Sequence, residues 1–310
     1  MKNIQNTIDK VYYECLELKQ KGEVASYIPE LAKVDPNLFG AALITSNGTI
    51  YGIGDYQKKF SMQSVSKVCI LIQAILDSGH EKVFKKVNIE PTSSSFNSIA
   101  NLELKEDNKP LNPFINAGAI VCTSFIKGDT SEEKVQRIIS LIKNITGNDD
   151  ITYDKNVYQS EASTGSRNKS LAYYMNSTGV LEGDIEVILD AYFKICSIEV
   201  TCEDLAKIAL SIAHNGMNLN GFSIFSSIVA KELRAIMCLC GMYDGSGEFA
   251  LRVGLPSKSG VGGGIMSVSL DNDGMGIGVF GPSLDSKGNS YLGIAFLEKL
   301  TTELGISLFE

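Results

Sequence analysis

Two hairpin signals, one near each end of the chain, limit its fold more than any other feature. Asn47-Gly48 separates strand-like runs at 39–45 and 49–53, and Asn-Gly is the pair that most readily occupies the left-handed positions of a tight hairpin turn. Asp271-Asn272-Asp273-Gly274 separates 262–270 from 275–280 in the same manner. Between the hairpins the pattern is helical. Thr130 with Glu133, and Thr201 with Asp204, have capping-box spacing ahead of apolar residues at helical intervals. Ile4, Ile8, Val11, Cys15 and Leu18 mark an opening amphipathic helix that ends near Gly22, and 292–304 make a closing one. Turn-rich pieces at 90–98 and 104–113 punctuate the middle. Hairpins need no crossover, so the expectation is an α+β fold with one antiparallel-rich sheet built from both chain ends and flanked by helices. Residues 1–310 then form a single domain, with sheet-containing parts at 1–79 and 246–310 and a mainly helical inserted part at 80–245. The cleft between the two parts is the natural ligand site.

The chemistry gathers at Gln63-Ser64-Val65-Ser66-Lys67, ahead of an apolar run from 68 to 76 that Gly79 can terminate. Residues three apart on a helix share a face, which brings Ser64 and Lys67 together. A serine hydroxyl needs a partner to take its proton, and a lysine can be that partner where an apolar setting lowers its pKa. The helix start adds backbone N–H groups suited to a developing oxyanion. Spacing alone is weak evidence, because S-x-x-K begins at Ser64, Ser124, Ser131, Ser140 and Ser166. Ser131 lies in the polar opening of a helix, and Ser140 with Lys143 on that helix's hydrophilic side. Ser124 and Lys127 run into Gly128, and Ser166 sits in a polar, loop-like stretch. Only Ser64 joins the pair to a long apolar body.

Composition narrows the class. A net charge of −8 lacks the basic excess of a nucleic-acid binder. No run approaches the ~20 apolar residues that span a bilayer, and 1–10 has no signal-peptide core; the expectation is a cytoplasmic protein that binds neither nucleic acid nor membrane. Seven cysteines, without a C-x-x-C, read as small buried hydrophobes in a reducing compartment, and no metal is expected. With two histidines, His80 and His214, both beside turn residues, lysine and tyrosine are the better proton-transfer candidates.

Lys258-Ser259-Gly260 precedes the last hairpin. K-[ST]-G on an edge strand with S-x-x-K at a helix start is the layout of serine β-lactamases and penicillin-binding proteins. Longer strings point elsewhere: Ala25-Ser26-Tyr27-Ile28-Pro29, Phe60-Ser61-Met62-Gln63-Ser64-Val65-Ser66-Lys67, Asn112-Pro113-Phe114-Ile115-Asn116-Ala117-Gly118-Ala119, Ser160-Glu161 with Arg167-Asn168, Tyr192, Gly241-Met242-Tyr243, and Gly254 through Gly264. In these the chain closely resembles the bacterial serine-dependent glutaminase family, over about residues 25 to 265.

That resemblance implies a β-lactamase-like fold and hydrolysis of L-glutamine to L-glutamate and ammonia, with no cofactor. It implies Ser64 as nucleophile, Lys67 as its base, and the N–H groups of Ser64 and Val261 as the oxyanion hole. Glu161 would receive the substrate's α-ammonium, and Asn116, Asn168 and Tyr192 its α-carboxylate. Tyr27 and Tyr243 would face the reacting amide, Tyr243 assisting proton transfer to ammonia. A homodimer or homotetramer is implied as well. The S-D-N element of the lactamases is absent and Ser259 stands where they commonly have threonine, both in keeping with a glutaminase. Two other readings remain open here: a penicillin-recognising acylase or esterase on the same fold, and a catalytically dead binding module.

Overall fold

The computed structural model describes residues 3–18, 21–92, 97–103 and 107–309. Parts of the turn-rich pieces expected at 90–98 and 104–113 lie outside the described residues.

Both hairpins form, and they meet. Strands β1 (Gly40–Thr45) and β2 (Ile50–Gly54) come from the first; β5 (Ser257–Ser259), β6 (Gly264–Ser269) and β7 (Met275–Phe280) come from the other end, and all are antiparallel in the order β2-β1-β7-β6-β5. The join is β1 on β7, with Ala42 opposite Gly278. The fold is therefore the expected one, a β-lactamase-like α+β architecture with its Lys-Ser-Gly strand at the sheet edge.

Alternation along β1 sorts its side chains between two cores. Ala41 and Leu43 join Ile8, Val11, Phe39, Ile277 and Phe296 under the helices Ile4–Leu16 and Tyr291–Leu304. Ala42 and Ile44 face the larger core of the helical part. The Cys202–Ala213 helix covers that second face. It lies close because β7 carries glycine where the helix crosses: a Cβ at Gly276 would stand 1.8 Å from the Ala206 carbonyl oxygen, and one at Gly278 2.0 Å from that of Cys202. Both helices expected from capping boxes have them, Ser131–Thr146 at Thr130 and Glu133, and Cys202–Ala213 at Thr201 and Asp204.

Several details differ from the sequence reading; the opening helix, for one, ends at Leu16 rather than near Gly22. The stretch around Ser166 is no loop; Ser166 opens the helix Ser166–Ser177, with only one narrow buried side at Leu171, Ala172 and Met175. A short β4 (Glu199–Val200) inside the helical part pairs with β3 (Phe60–Ser61). The α-helix after Ser64 starts at Ser66, because Gln63–Val65 is a tighter 3-10 turn.

Candidate active site

Strand β3 delivers the chain into the Gln63–Val65 turn, where Gln63 holds φ 47°, a conformation unusual for a side chain of its size. Ser64 lies in that turn and Lys67 three residues on, in the first turn of the Ser66–Ser78 helix, a spacing that keeps the two on one side of the chain. The Ser66 hydroxyl donates to the Gln63 carbonyl at 2.7 Å and fixes the change to α-helix. From Val68 to Ile75 the Ser66–Ser78 helix is buried on every side, so Lys67 enters the interior with no surface exposed. Its Nζ donates to the Phe114 carbonyl at 3.2 Å and to Asn116 Oδ1 at 2.6 Å. Burial lowers its pKa to about 8, because removal from water penalises the ammonium.

Asn116 begins the helix Asn116–Ser124. The Asn112 side chain caps the backbone before it, accepting from the N–H groups of Phe114 and Ile115. The helix then packs so tightly that a Cβ at Gly118 would meet the Asn112 carbonyl oxygen at 1.9 Å. Asn116 Nδ2 donates onward to Asn168 Oδ1 at 2.8 Å.

Glu161 and Asn168 sit on consecutive helices, Lys155–Thr164 and Ser166–Ser177, hinged at Gly165. A Cβ at Gly165 would press the Phe193 ring at 2.5 Å, so glycine permits the bend that turns both side chains inward. Glu161 is not a solvated loop residue. It is buried, and desolvation raises its pKa to about 7 against the opposing pull of the Lys67 charge and a hydrogen bond from Gln63. Tyr192 is buried on Ile185–Cys196, with Cys196 one turn later; burial raises the phenol well above its ordinary range and the Cys196 thiol to about 12.

The remaining wall comes from the sheet edge. Glycines past β5 let the two backbones touch: a Cβ at Gly260 would lie 2.5 Å from the Met62 carbonyl oxygen and 3.2 Å from Ser64 N. Val261 follows and lines the cavity beside Ser64. Tyr243 is buried with φ 54°; burial raises its pKa, while hydrogen bonding with Ser64, Ser259 and the Val261 backbone opposes the rise. Tyr27 is 57% exposed at the mouth. Its exposed part is the outer one; desolvation where the phenol end meets the site raises its pKa, with Tyr243 and Glu161 adding to the shift.

Together these groups enclose a cavity of about 100 Å³. Tyr27, Ser64, Asn116, Glu161, Asn168, Tyr192 and Val261 line it; Lys67 and Tyr243 reach it through Asn116 and Ser64. Every site residue expected from the sequence is thus in one place. Several neighbours were not among those expected, Ile28, Asn97 and Arg167 in the lining among them. Gln63 holds the Glu161 carboxylate, Cys196 lines the cavity beside Tyr192, and Lys258 lies under Tyr243. A left-handed glutamine has no sequence signature, and an apolar setting made Cys196 look like packing. Among the described residues no group of His, Cys, Asp and Glu could hold a metal ion, and no helix is long and apolar enough to cross a membrane.

Comparison with known proteins agrees with this geometry. Residues 22–309 match the glutaminase family model. The glutaminase of Clostridium tetani (strain Massachusetts / E88) is 52% identical over 307 residues, covering 99% of this chain and all of that protein. A Clostridium botulinum (strain Hall) glutaminase is 52% identical over 93% of this chain and 94% of its own. Among solved structures, the probable glutaminase ybaS superposes with a TM-score of 0.93 at 36% identity, covering 99% of this chain and 98% of that one. The Bacillus subtilis glutaminase YbgJ, solved as a covalent complex with 5-oxo-L-norleucine after reaction with 6-diazo-5-oxo-L-norleucine, gives 0.87 at 34%, covering 99% and 98%. This chain belongs to the glutaminase family.

Proposed function

We propose that the protein hydrolyses L-glutamine to L-glutamate and ammonia through a γ-glutamyl ester on Ser64, with Lys67 as general base. The observation that carries this reading is the Lys67 amine. It is fully buried, depressed to about 8, and one turn from a serine that lines the cavity. A lysine with an ordinary pKa would be protonated at neutral pH and could accept nothing.

In this reading Ser64 Oγ attacks the side-chain amide carbon and its proton passes to Lys67 Nζ. The N–H groups of Ser64 and Val261 receive the oxyanion. Collapse breaks the C–N bond as Tyr243, with Tyr27 opposite, delivers a proton to the departing ammonia. Water then cleaves the ester by the reverse proton path, dividing one hard step into two easier ones. Glu161 takes the α-ammonium of the substrate, and Asn116, Asn168 and Tyr192 its α-carboxylate. A free amino acid is a zwitterion, and one carboxylate beside a cluster of donors is the complement it needs. The enzyme is read as cytoplasmic, where its free cysteines stay reduced, and as a homodimer or homotetramer, which light scattering on the purified chain measures directly.

The test is mass spectrometry after treatment with 6-diazo-5-oxo-L-norleucine, which reacts with the Bacillus subtilis relative. A single adduct on Ser64 is expected. An adduct on Cys196 or on any other S-x-x-K serine overturns the assignment.

A further inference from the structure

The mechanism above uses Val261 from the Lys-Ser-Gly segment but gives its lysine no task. We propose that Lys258 is a positioning residue whose buried amine ties the Tyr243 turn to the end of strand β5, holding the phenol toward Ser64. The inference rests on the reading of Tyr243 as the group that protonates the leaving ammonia.

Lys258 stands in register with Met266 of β6, which in turn faces Gly278 of β7, and its side chain has no surface exposed. The amine donates to the Ser259 carbonyl at 2.7 Å and to the Gly241 carbonyl at 3.0 Å. Gly241 O also accepts the Ser259 backbone N–H at 3.2 Å, and a Cβ at Gly241 would lie 1.6 Å from the Ser257 carbonyl oxygen. The residue two before Tyr243 is therefore pinned to the strand. Nζ lies 4.5 Å from the centroid of the Tyr243 ring and 5.9 Å from that of Phe114, and Phe114 lends its carbonyl to Lys67.

Such a clamp answers a need of the backbone. Tyr243 holds φ 54°, a region that a bulky side chain occupies only where its surroundings fix it. Burial, with the Lys67 charge adding to it, drives the Lys258 pKa well below its ordinary value. The two carbonyls take two of its N–H donors. Lys258 thus has its hydrogen-bond partners on two backbone segments rather than on a carboxylate, and its role is geometric.

A double-mutant cycle tests this. Lys258→Met keeps the length and apolar contacts and removes the donors. With the native circular dichroism spectrum retained, kcat should fall about a hundred-fold, the scale of a misaligned catalytic group, while KM stays within about threefold. Combining it with Tyr243→Phe should give an enzyme no slower than Tyr243→Phe alone, because the positioned hydroxyl is already gone. If the two losses multiply, Lys258 acts on the fold at large and the proposal fails. Should Lys258→Met not fold, Lys258→Gln, which keeps an amide donor, is put through the same cycle with the same criterion. Failure of the underlying reading looks different: Tyr243→Phe alone would be fully active, whatever is done at Lys258.

Discussion

Lys67 Nζ lies 2.6 Å from Asn116 Oδ1, and the Asn116 amide stands with its oxygen toward the amine. The amine has an N–H to donate to that oxygen in either protonation state. Asn116 Nδ2 is then turned to Asn168 Oδ1 at 2.8 Å, and the proposed base and carboxylate-binding amides form one directed chain.

Asn116→Asp would place a carboxylate against that amine and favour its charged form. The rising limb of kcat/KM should move to higher pH by about one unit or more, with activity at pH 7 reduced accordingly. A pH–rate profile checks it; an unmoved limb would mean that Lys67 is not the titrating base.

Removing the proposed nucleophile or its proposed base should each be severe. Ser64→Ala and Lys67→Ala are expected to lower turnover by about three orders of magnitude or more, with the double variant little worse than either. Ammonia release measures all three. Multiplying losses would show that the two residues do not act as a unit.

On the proposed mechanism, one lowered and one raised group set the pH dependence of the parent enzyme. Lys67, depressed to about 8, must be neutral to accept a proton, so kcat/KM rises with pH through that value. Glu161, raised to about 7, must be ionised to hold an ammonium, so KM should climb as pH falls below it. Binding an ammonium restores the carboxylate, and calorimetry in buffers of different ionisation enthalpy should detect proton release at pH 6.5.

Glu161→Gln keeps the shape and removes the charge. An unpaired buried ammonium costs roughly 2–5 kcal/mol, so kcat/KM for glutamine should drop by about thirty-fold to several thousand-fold. A neutral amide without an α-amino group should be hydrolysed with nearly the parent efficiency. Equal loss on both substrates would remove Glu161 from the recognition of the ammonium.

Neither histidine stands in the site. His80 Nδ1 pairs with Glu232 at 3.2 Å, and His214 Nε2 meets the Asp273 carbonyl at 3.1 Å. Replacing both with Gln should leave the pH profile of kcat in place. A vanished limb with the fold intact would return a histidine to the mechanism.

What could be read from the sequence follows a physical division. The Asn47-Gly48 hairpin, the Thr130 and Thr201 caps and the Gly79 stop depend on neighbours a few residues away, and all are where local chemistry puts them. The short spacing of Ser64 and Lys67 along the chain is a local feature too. Burial of Glu161 is not, since the helix carrying it turns at Gly165, where a Cβ would press the distant Phe193 ring. The helix at Ser166 was obscured because its exposed faces are polar and its buried side is narrow. The left-handed backbones of Gln63 and Tyr243 are imposed by tertiary packing, which a linear pattern does not record.

The bare glycine stretch of β7 sets a tolerance for the chemistry as well as a packing distance. The helix that rests on Gly276 and Gly278 begins at Cys202, just past β4, and β4 is laced to β3, which leads directly into Gln63 and Ser64. One methyl group under that helix would lift its first turn by about an ångström or more, given ordinary contact distances near 3.5 Å. The displacement would arrive at Ser64 through four hydrogen-bonded residues, on the length scale at which a positioned catalytic group loses its alignment. A residue with no side chain, on the central strand and two strands from the Lys-Ser-Gly edge, would thereby work as the gauge block against which Ser64 is aligned.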